Sequence, residues 1–554
     1  MRKMLFARGI EDEETAEHFL LPKYEDLVDP YLFKDMEKVV VRICEAMEAQ
    51  ETIVVYSDYD CDGIPAATIM SDMFAKIGYS NVRFYIPHRH DEGYGLHMDA
   101  VQRFVDEGVK LIITFDLGIT AVEEVAYAMS HGVDVIITDH HLPHGDAPRA
   151  FAIINPHVDD TYPEKVLCGA GVSFKLAQAF VKKYGTYFSV SEGWEKWLLD
   201  MAALGTLSDM VPIKGENRII SYYGMKVLKK NKRPGLRALF SKMNMDTTHL
   251  TEYDLTFMVA PRINAASRMD NPIRAFELLA ADNDRTAVEL AEHLTNINDE
   301  RKLLVARTMK EAKSHLAKRH SENGESPVVV VGSTGWKAGI LGLVAGKLTD
   351  ELKKPVFVWG MEEDDEHIKG SCRSDGSINV VDLMVANQEY FVQFGGHTVA
   401  GGFVATREKI HFLEEALTKS YLEITSQNTQ EEGEIVETAS DTIVLSTLSL
   451  DKVKPHFIEE IDRCAPFGLD NPKPIFMFQN VRLETVKQFG KTKEHLEVLM
   501  SDSTGTSKAI AFFKSAADFA IGEGQTVTLI GTLEMSYFRG REARVRIVDI
   551  ISAK

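Results

Sequence analysis

Four apolar runs between residues 51 and 160 constrain this chain most. They are TIVVYSD (52–58), VKLIITFD (109–116), VDVIITD (133–139) and AFAIIN (150–155). Stretches with helical spacing separate them, among them IPAATIMSDMFAKIG and TAVEEVAYAMSHG. This alternation predicts βαβ units and a mainly parallel sheet covered on both faces. Sheets of that type bind ligands beyond the carboxyl ends of their strands. Here the residues just past those ends carry chemistry. The first run ends in Asp58-Tyr59-Asp60-Cys61-Asp62-Gly63 and the second in Asp116. The third ends in Asp139-His140-His141 and the fourth in Asn155-Pro156-His157. Carboxylates crowded at one rim repel each other and take up protons unless a positive charge sits among them. A divalent cation is the simplest such charge. Mixed carboxylate and imidazole donors suit Mn²⁺ better than Ca²⁺ or a thiolate zinc site. Histidines also concentrate here: residues 88–157 hold eight of the 18. An acid at a strand end can be an ordinary helix N-cap, but three such groups in strand order exceed what capping needs.

The remaining chain divides by pattern. Residues 1–50 have helical periodicity and no catalytic signal, so packing and solvation are the expected roles. Residues 51–285 form the α/β unit described above, followed by a mostly helical stretch. Residues 286–320 have helical periodicity without Pro or Gly. A continuous helix there is roughly 50 Å long, enough to bridge two lobes. The connecting segment is placed at 286–325. A second α/β unit follows at 326–425, with PVVVVGS, a Gly-punctuated helix WKAGILGLVAGKLTDEL, and PVFVW. Residues 426–442 are polar and acidic, as in a linker. From about 470 the pattern is all β, with short strands and turns that suggest a small barrel. The last unit, linker included, is taken as 426–554.

Composition excludes several classes. The chain of 554 residues carries 62 basic and 83 acidic groups, a net charge of −21. It is no bulk polycation, although a local basic track can still bind nucleic acid. No apolar run is long enough for a transmembrane helix, and the N-terminus lacks a secretory h-region, so a cytoplasmic protein is expected. Five scattered cysteines form no CxxC and read as free thiols. The C-terminal part is locally basic: Lys473–Lys554 holds 12 basic and 9 acidic residues. Tyr537, Phe538, Arg539, Arg541, Arg544 and Arg546 crowd into ten residues of it. Aromatics among arginines suit stacking on single strands together with phosphate attraction.

DYDCDG, FDLGIT, TDHH and LGTLSDMVP resemble, in order and spacing, the signature motifs of the DHH phosphoesterase superfamily. CGAGVSFKL, APRINAASRMD, GSCRSDGSINV, FGGHTVAGGF and APFGLDNPKPIF narrow the resemblance to its RecJ family of bacterial single-strand-specific exonucleases. That resemblance runs over nearly the whole chain. It departs at Ser57, Ser267 and Asp470, where the family usually has glycine, and none of these removes an expected metal ligand. The resemblance implies an α/β fold: a parallel-sheet DHH domain and a DHH-associated domain joined by a long helix, with a C-terminal OB-fold barrel. It implies a two-metal site for Mn²⁺ or Mg²⁺ held by Asp60, Asp62, Asp116, His140 and Asp209. Asp58 and His141 support that shell or touch the scissile phosphate. Ser371, Arg373 and His397 are implied to grip phosphate, Arg89 and Tyr94 to hold the 5′-terminal nucleotide, and Arg262 and Arg268 to contact the strand. The implied activity is 5′-to-3′ degradation of single-stranded DNA to nucleoside 5′-monophosphates in repair and recombination. The implied partners are single-stranded DNA, a RecQ-type helicase and a single-strand-binding protein, with no membrane and a monomeric chain. The rival expectations are a DHH phosphodiesterase for short oligonucleotides or cyclic dinucleotides, and a non-catalytic scaffold. The superfamily's scaffolds lose motif ligands, and here all are present.

Overall fold

In the computed structural model, the four apolar runs lie side by side in one sheet. The structure describes residues 1–143, 145–361, 367–431, 444–490, 493–537 and 540–552. Strands β1 (Ile53–Ser57), β2 (Val82–Tyr85), β3 (Leu111–Phe115), β4 (Asp134–Thr138) and β5 (Ala152–Ile154) form it in the order β2-β1-β3-β4-β5, all parallel. The edge strand β2 was not among the expected runs. Its sequence VRFY alternates polar and apolar and is only half buried, unlike the continuous apolar strands at the centre. Every residue of β1 and β3 is buried. Two cores flank the sheet. One holds Ile53, Val55, Leu111, Ile113 and Ile136, and the other holds Val54, Tyr56, Ile112, Val135 and Ile137. This split is the period-two alternation of a strand covered on both faces.

Register decides what reaches the rim. Ser57 pairs with Phe115, Phe115 with Thr138, and Thr138 with Ile154. The ladder continues one residue further. Asp58 N donates to Phe115 O (3.2 Å), Asp116 N to Thr138 O (3.0 Å), and Asp139 N to Ile154 O (3.1 Å). Asp58, Asp116, Asp139 and Asn155 therefore stand in one row across four adjacent strands, spaced by the inter-strand distance of about 4.8 Å.

The long helix runs Asp284–Asn323, further than expected at both ends, and so is about 60 Å long. Asn283 caps it, accepting from Thr286 N at 2.9 Å. Its first half contributes Ala291, Leu294 and Ile297 to the core of the first lobe. Its second half contributes Val305, Met309, Ala312 and Leu316 to a core of the second. One amphipathic element is thus a wall of two cores.

The second lobe is a mixed sheet. It holds β6 (Val329–Thr334), β7 (Val356–Met361), β8 (His367–Arg373), β9 (Phe391–His397) and β10 (Ala400–Thr406) in the order β6-β7-β8-β10-β9. Only β6 and β7 are parallel. The helix Leu413–Glu431 runs into the segment expected to be a linker; from 432 to 442 that segment lies outside the described residues. The last unit holds β11 (Val444–Thr447), β12 (Ile475–Phe489), β13 (His495–Asp502), β14 (Gly505–Ala511), β15 (Thr526–Ser536) and β16 (Glu542–Ser552). Pairing of β12 with β15 closes it into the barrel expected from the strand pattern. Phe538 and Arg539 lie outside the described residues. The N-terminal segment packs against two cores. The helix Met36–Glu48 buries Met36, Val39, Val40 and Ile43 in the first core, and Met4 enters the barrel's core. Among the described residues no helix is long and apolar enough to cross a membrane.

Candidate functional site

The loop after β1 folds back on itself because its own acids accept its amides. Asp60 Oδ1 accepts from Asp62 N (2.8 Å) and Gly63 N (3.2 Å). Ser57 is fully buried and donates to Gly63 O at 2.7 Å, a tie that glycine could not make. Cys61 N donates to Asn264 Oδ1 at 2.8 Å. Asn264 sits in the APRINAASRMD motif, between Arg262 and Arg268, and only this tertiary contact gives it a role. Asp62 is 2 % exposed and is held by the N-terminus of the helix Gly169–Tyr184. Its two oxygens accept from Gly169 N (2.5 Å) and Ala170 N (2.8 Å). Helix N-termini favour anions in this way. A Cβ at Gly169 would lie 2.6 Å from Asp116 Cβ, so only glycine lets the two elements meet. Asp116 itself has φ +62°, a left-handed conformation tolerated at a site the surroundings over-determine.

These elements bring the acids and imidazoles together. Three groups of donors have ligand atoms within 4.8 Å of one another: Asp58, Asp60 and Asp116; Asp62, His140 and Asp209; and Asp116, His140 and His141. His140 Nε2 lies 3.1 Å from Asp116 Oδ1, 3.7 Å from Asp62 Oδ2 and 3.8 Å from Asp209 Oδ2. Asp209 arrives from elsewhere in the fold, at the end of the helix Leu199–Ser208. Asp58, expected to support the shell, offers an oxygen to the first group.

Burial and crowding set the electrostatics of these groups. Burial, and then the charge of Asp60, pushes Asp62 up to about 6. Burial, then Asp62 and Asp60, pushes Asp209 up to about 9. Asp58 and Asp116 are raised well above the carboxylate range, first by burial and then by their acidic neighbours. Burial and the charge of His141 push His140 down to about 3, leaving a neutral imidazole fit to be a ligand. His141 goes the other way. Burial opposes its charge, but the hydrogen bond and charge of Asp139 outweigh that and hold it at about 9. Asp139 Oδ1 lies 2.8 Å from His141 Nδ1, and the same carboxylate accepts from the amides of Ile119, His140 and His141. Asp139, unassigned from sequence, thus aims the imidazole of His141. The fit to a hard divalent cation rests on two atoms. Among the described residues, Asp58 Oδ1 and Asp116 Oδ1 are buried acceptors with no hydrogen bond, the second despite the nearby His140 ring, and each such atom costs about 1–3 kcal/mol unless something positive meets it.

Cations gather beside this rim where the lobes meet, Arg89 and Arg268 from the first lobe and Arg373 from the second. Arg89 lies over the Tyr59 ring at 5.0 Å. Arg268 donates to Gly339 O of the second lobe (3.2 Å), and His90 Nε2 lies 3.1 Å from Arg268 O. Burial first, then the charges of Arg89, Arg301 and Arg373, lowers Arg268 to about 9. Ser371 and Arg373, on β8, lie together (Nη1 to Oγ, 3.3 Å) beside Gly342. Tyr94 is 47 % exposed, with its hydroxyl 3.3 Å from Asp116 O and 3.2 Å from His141 Nδ1. His397 lies exposed at the end of β9, paired in register with Ala400. Arg262 differs from Arg268. It is 7 % exposed, donates to Met258 O on its own helix at 2.6 Å, and feels Asp299 of the long helix.

On the barrel side, aromatic rings and one arginine form a continuous track. Phe257 and Tyr253 lie 4.7 Å apart, Arg546 lies over both Tyr253 (4.6 Å) and Phe512 (5.2 Å), and His495 lies 4.9 Å from Phe513. His249 stacks on Tyr537 at 3.5 Å. Phe257 is 57 % exposed and Phe513 is 77 % exposed. Tyr253 and Phe257 escaped sequence reading because no motif carries them. Arg541 and Arg544 are paired with Glu459 and Glu534, so they offer the track less than their number suggested.

A row of acids on a parallel sheet, a second lobe closing over it and a β-barrel alongside define a DHH-superfamily protein. Known domain families match in the same order: the DHH family N-terminal domain over residues 52–206, the DHHA1 domain over 325–421 and the RecJ OB domain over 446–549. The single-stranded-DNA-specific exonuclease RecJ of Bacillus subtilis is 33% identical over 97% of this chain, which spans 66% of that relative's length. The enzyme of the same name from Haemophilus influenzae is 29% identical, with 98% of this chain and 94% of the relative covered. A crystal structure of RecJ in complex with Mn²⁺ from Thermus thermophilus superposes with a TM-score of 0.79 at 25% identity. It covers 100% of this chain and 76% of that one. The chain belongs to the RecJ family.

Proposed function

We propose that this protein is a metal-dependent exonuclease that degrades single-stranded DNA from the 5′ end and releases nucleoside 5′-monophosphates. The observation that carries the proposal is the row of strand-end acids, two of them with orphaned oxygens, beside a cluster of Arg89 and Arg268 from the same lobe and Arg373 from the second. The crowded acids gather divalent cations, and the arginines beside them gather phosphates. Asp60, Asp62, Asp116, His140 and Asp209 would hold Mn²⁺ or Mg²⁺, with Asp58 beside them, and the ions would supply the positive charge that an in-line displacement by water needs. His141, held charged by Asp139, faces the scissile phosphate. Arg89, Ser371, Arg373 and His397 grip the 5′-terminal phosphate, the fork of arginine matching its oxygens. Tyr94 stacks the terminal base. Arg268 contacts the strand behind it, and Arg262 contributes from the neighbouring helix face. The aromatic track from Phe257 to Phe513 takes the unpaired bases further along, which suits single strands because every base has a stacking face. The units proposed from sequence, 1–50, 51–285, 286–325, 326–425 and 426–554, divide this work. In the cytoplasm a monomer would act in repair and recombination after a RecQ-type helicase opens an end, on strands delivered by a single-strand-binding protein.

Digestion of linear against circular single strands with Mn²⁺, with product size read by chromatography, tests the proposal. The expected result is mononucleotides from linear 5′-phosphorylated strands only. Equal cutting of circles would overturn end dependence. A preference for dinucleotides over long strands would favour a short-oligonucleotide phosphodiesterase instead.

A further inference from the structure

The motif APFGLDNPKPIF runs into β12 and contains none of the residues assigned above to metal or strand, yet the fold gives it a task. Asp209 opens a short loop, 209–214, that leaves the helix Leu199–Ser208. The end of that loop is gripped by the motif. Ile213 N donates to Leu469 O at 2.9 Å. Lys214 Nζ lies 3.0 Å from Asp470 Oδ2. Gly468 is pressed so close that a Cβ there would lie 2.7 Å from Ile213 Cγ1. Ile213 is 1 % exposed, part of the core of the first lobe, so it cannot simply swing aside. From the other side Asn217 Nδ2 donates to Pro212 O at 3.1 Å. The motif is itself rigid. Asn471 is 1 % exposed, donates to Cys464 O (2.9 Å) and Pro466 O (2.7 Å), and accepts from Arg8 Nε (2.6 Å). Arg218 is 3 % exposed and donates to Cys464 O (3.0 Å), Ala465 O (3.3 Å) and Phe19 O (2.7 Å).

We infer that Gly468, Leu469 and Asp470 are positioning residues for the metal site. The lead-in turn of the barrel clamps the loop that carries Asp209, so docking of the barrel sets the chain's affinity for divalent metal. The inference rests on the reading of Asp209 as a ligand. Coupling through such a contact needs no moving part. A ligand carboxylate on a loose loop must be ordered when the ion binds, whereas on a clamped loop it is already ordered. Groups that orient ligands are commonly worth about 10–100-fold in metal affinity.

The test is Mn²⁺ binding to the full chain without DNA, read from the electron paramagnetic resonance signal of free Mn²⁺. Gly468→Ala is expected to weaken binding about tenfold, the lower end for an orienting contact, with the circular dichroism spectrum unchanged. Gly468→Ala combined with Ile213→Ala removes the clashing Cγ1 and is expected to bind more tightly than Gly468→Ala alone. No recovery in the double variant would overturn the clamp. Asp209→Asn is the control. If it binds Mn²⁺ like the parent chain, the ligand reading fails and the inference with it. If it weakens binding while Gly468→Ala does not, the clamp alone fails. Hydrogen exchange on the unaltered chain needs no variant. Mn²⁺ is expected to slow exchange in both 209–214 and 466–471, and slowing confined to 209–214 would also refute the coupling.

Discussion

Binding of a divalent ion to this rim should expel protons. The perturbation is pH, and the magnitude follows from the geometry around Asp209 and Asp62. Asp209, pushed up to about 9, is almost fully protonated at pH 7, whereas Asp62, at about 6, is mostly ionised. Freeing Asp209 of its proton at pH 7 costs about 2.7 kcal/mol, at about 1.36 kcal/mol for each unit between pH and pKa. The apparent affinity for Mn²⁺ should therefore rise about tenfold per pH unit, or about a hundredfold from pH 6.5 to 8.5. Asp58 and Asp116, raised in the same direction, steepen that slope. His140 adds nothing, because burial already keeps it neutral. The assay is titration calorimetry at pH 7 in two non-chelating buffers of different ionisation enthalpy, whose difference in heat counts protons released. At least one proton per filled site is expected. No release, with flat affinity from pH 6.5 to 8.5, would refute the account of crowded, buried carboxylates. The sign for folding follows too. These carboxyls titrate higher in the folded chain than in the unfolded one, so the protonated forms favour folding. In the metal-free chain that contribution is fully present below about pH 4 and is lost as pH climbs through about 6 for Asp62 and about 9 for Asp209. Thermal melts should show Mn²⁺ stabilising the fold more at pH 8.5 than at pH 6.

Asp62→Ala should lower turnover of single strands at least about a hundredfold, since metal catalysis contributes several kcal/mol; an active variant would remove Asp62 from the reaction. Arg373→Ala should raise KM for 5′-phosphorylated strands and narrow their advantage over 5′-hydroxyl strands, and equal KM values in parent and variant would count against the phosphate role. Phe513 has φ +56° and is 77 % exposed. Phe513→Gly should leave stability unchanged or higher while weakening single-strand affinity by about 1–3 kcal/mol, the usual worth of one stacked base, checked by fluorescence anisotropy. Lys175→Met should cost about 3–5 kcal/mol in denaturant unfolding, because it strands the buried Glu216 carboxylate that now lies 2.7 Å from Lys175 Nζ.

The strand runs, the acids and imidazoles at their ends and the closed barrel were legible because each depends on local order. A period of two, a terminal Asp or a helix without proline can be read within a few residues. The type of metal donor was legible for the same reason. Other features depended on the packed fold. Register, set by sheet pairing, put Asp58, Asp116 and Asp139 in one row. Packing of the helix Gly169–Tyr184 against the first loop gave Asp62 its two amide donors. Burial orphaned one oxygen each of Asp58 and Asp116 and kept His140 neutral, while the contact with Asp139 kept its neighbour His141 charged. The long helix brought Arg373 opposite Arg89, and the barrel brought Arg546 onto Tyr253. A linear chain lists donors in order but holds no information on their separation. Only the packed cores decide which charges lose their water together, and that loss turns a set of acids into a site that demands a cation.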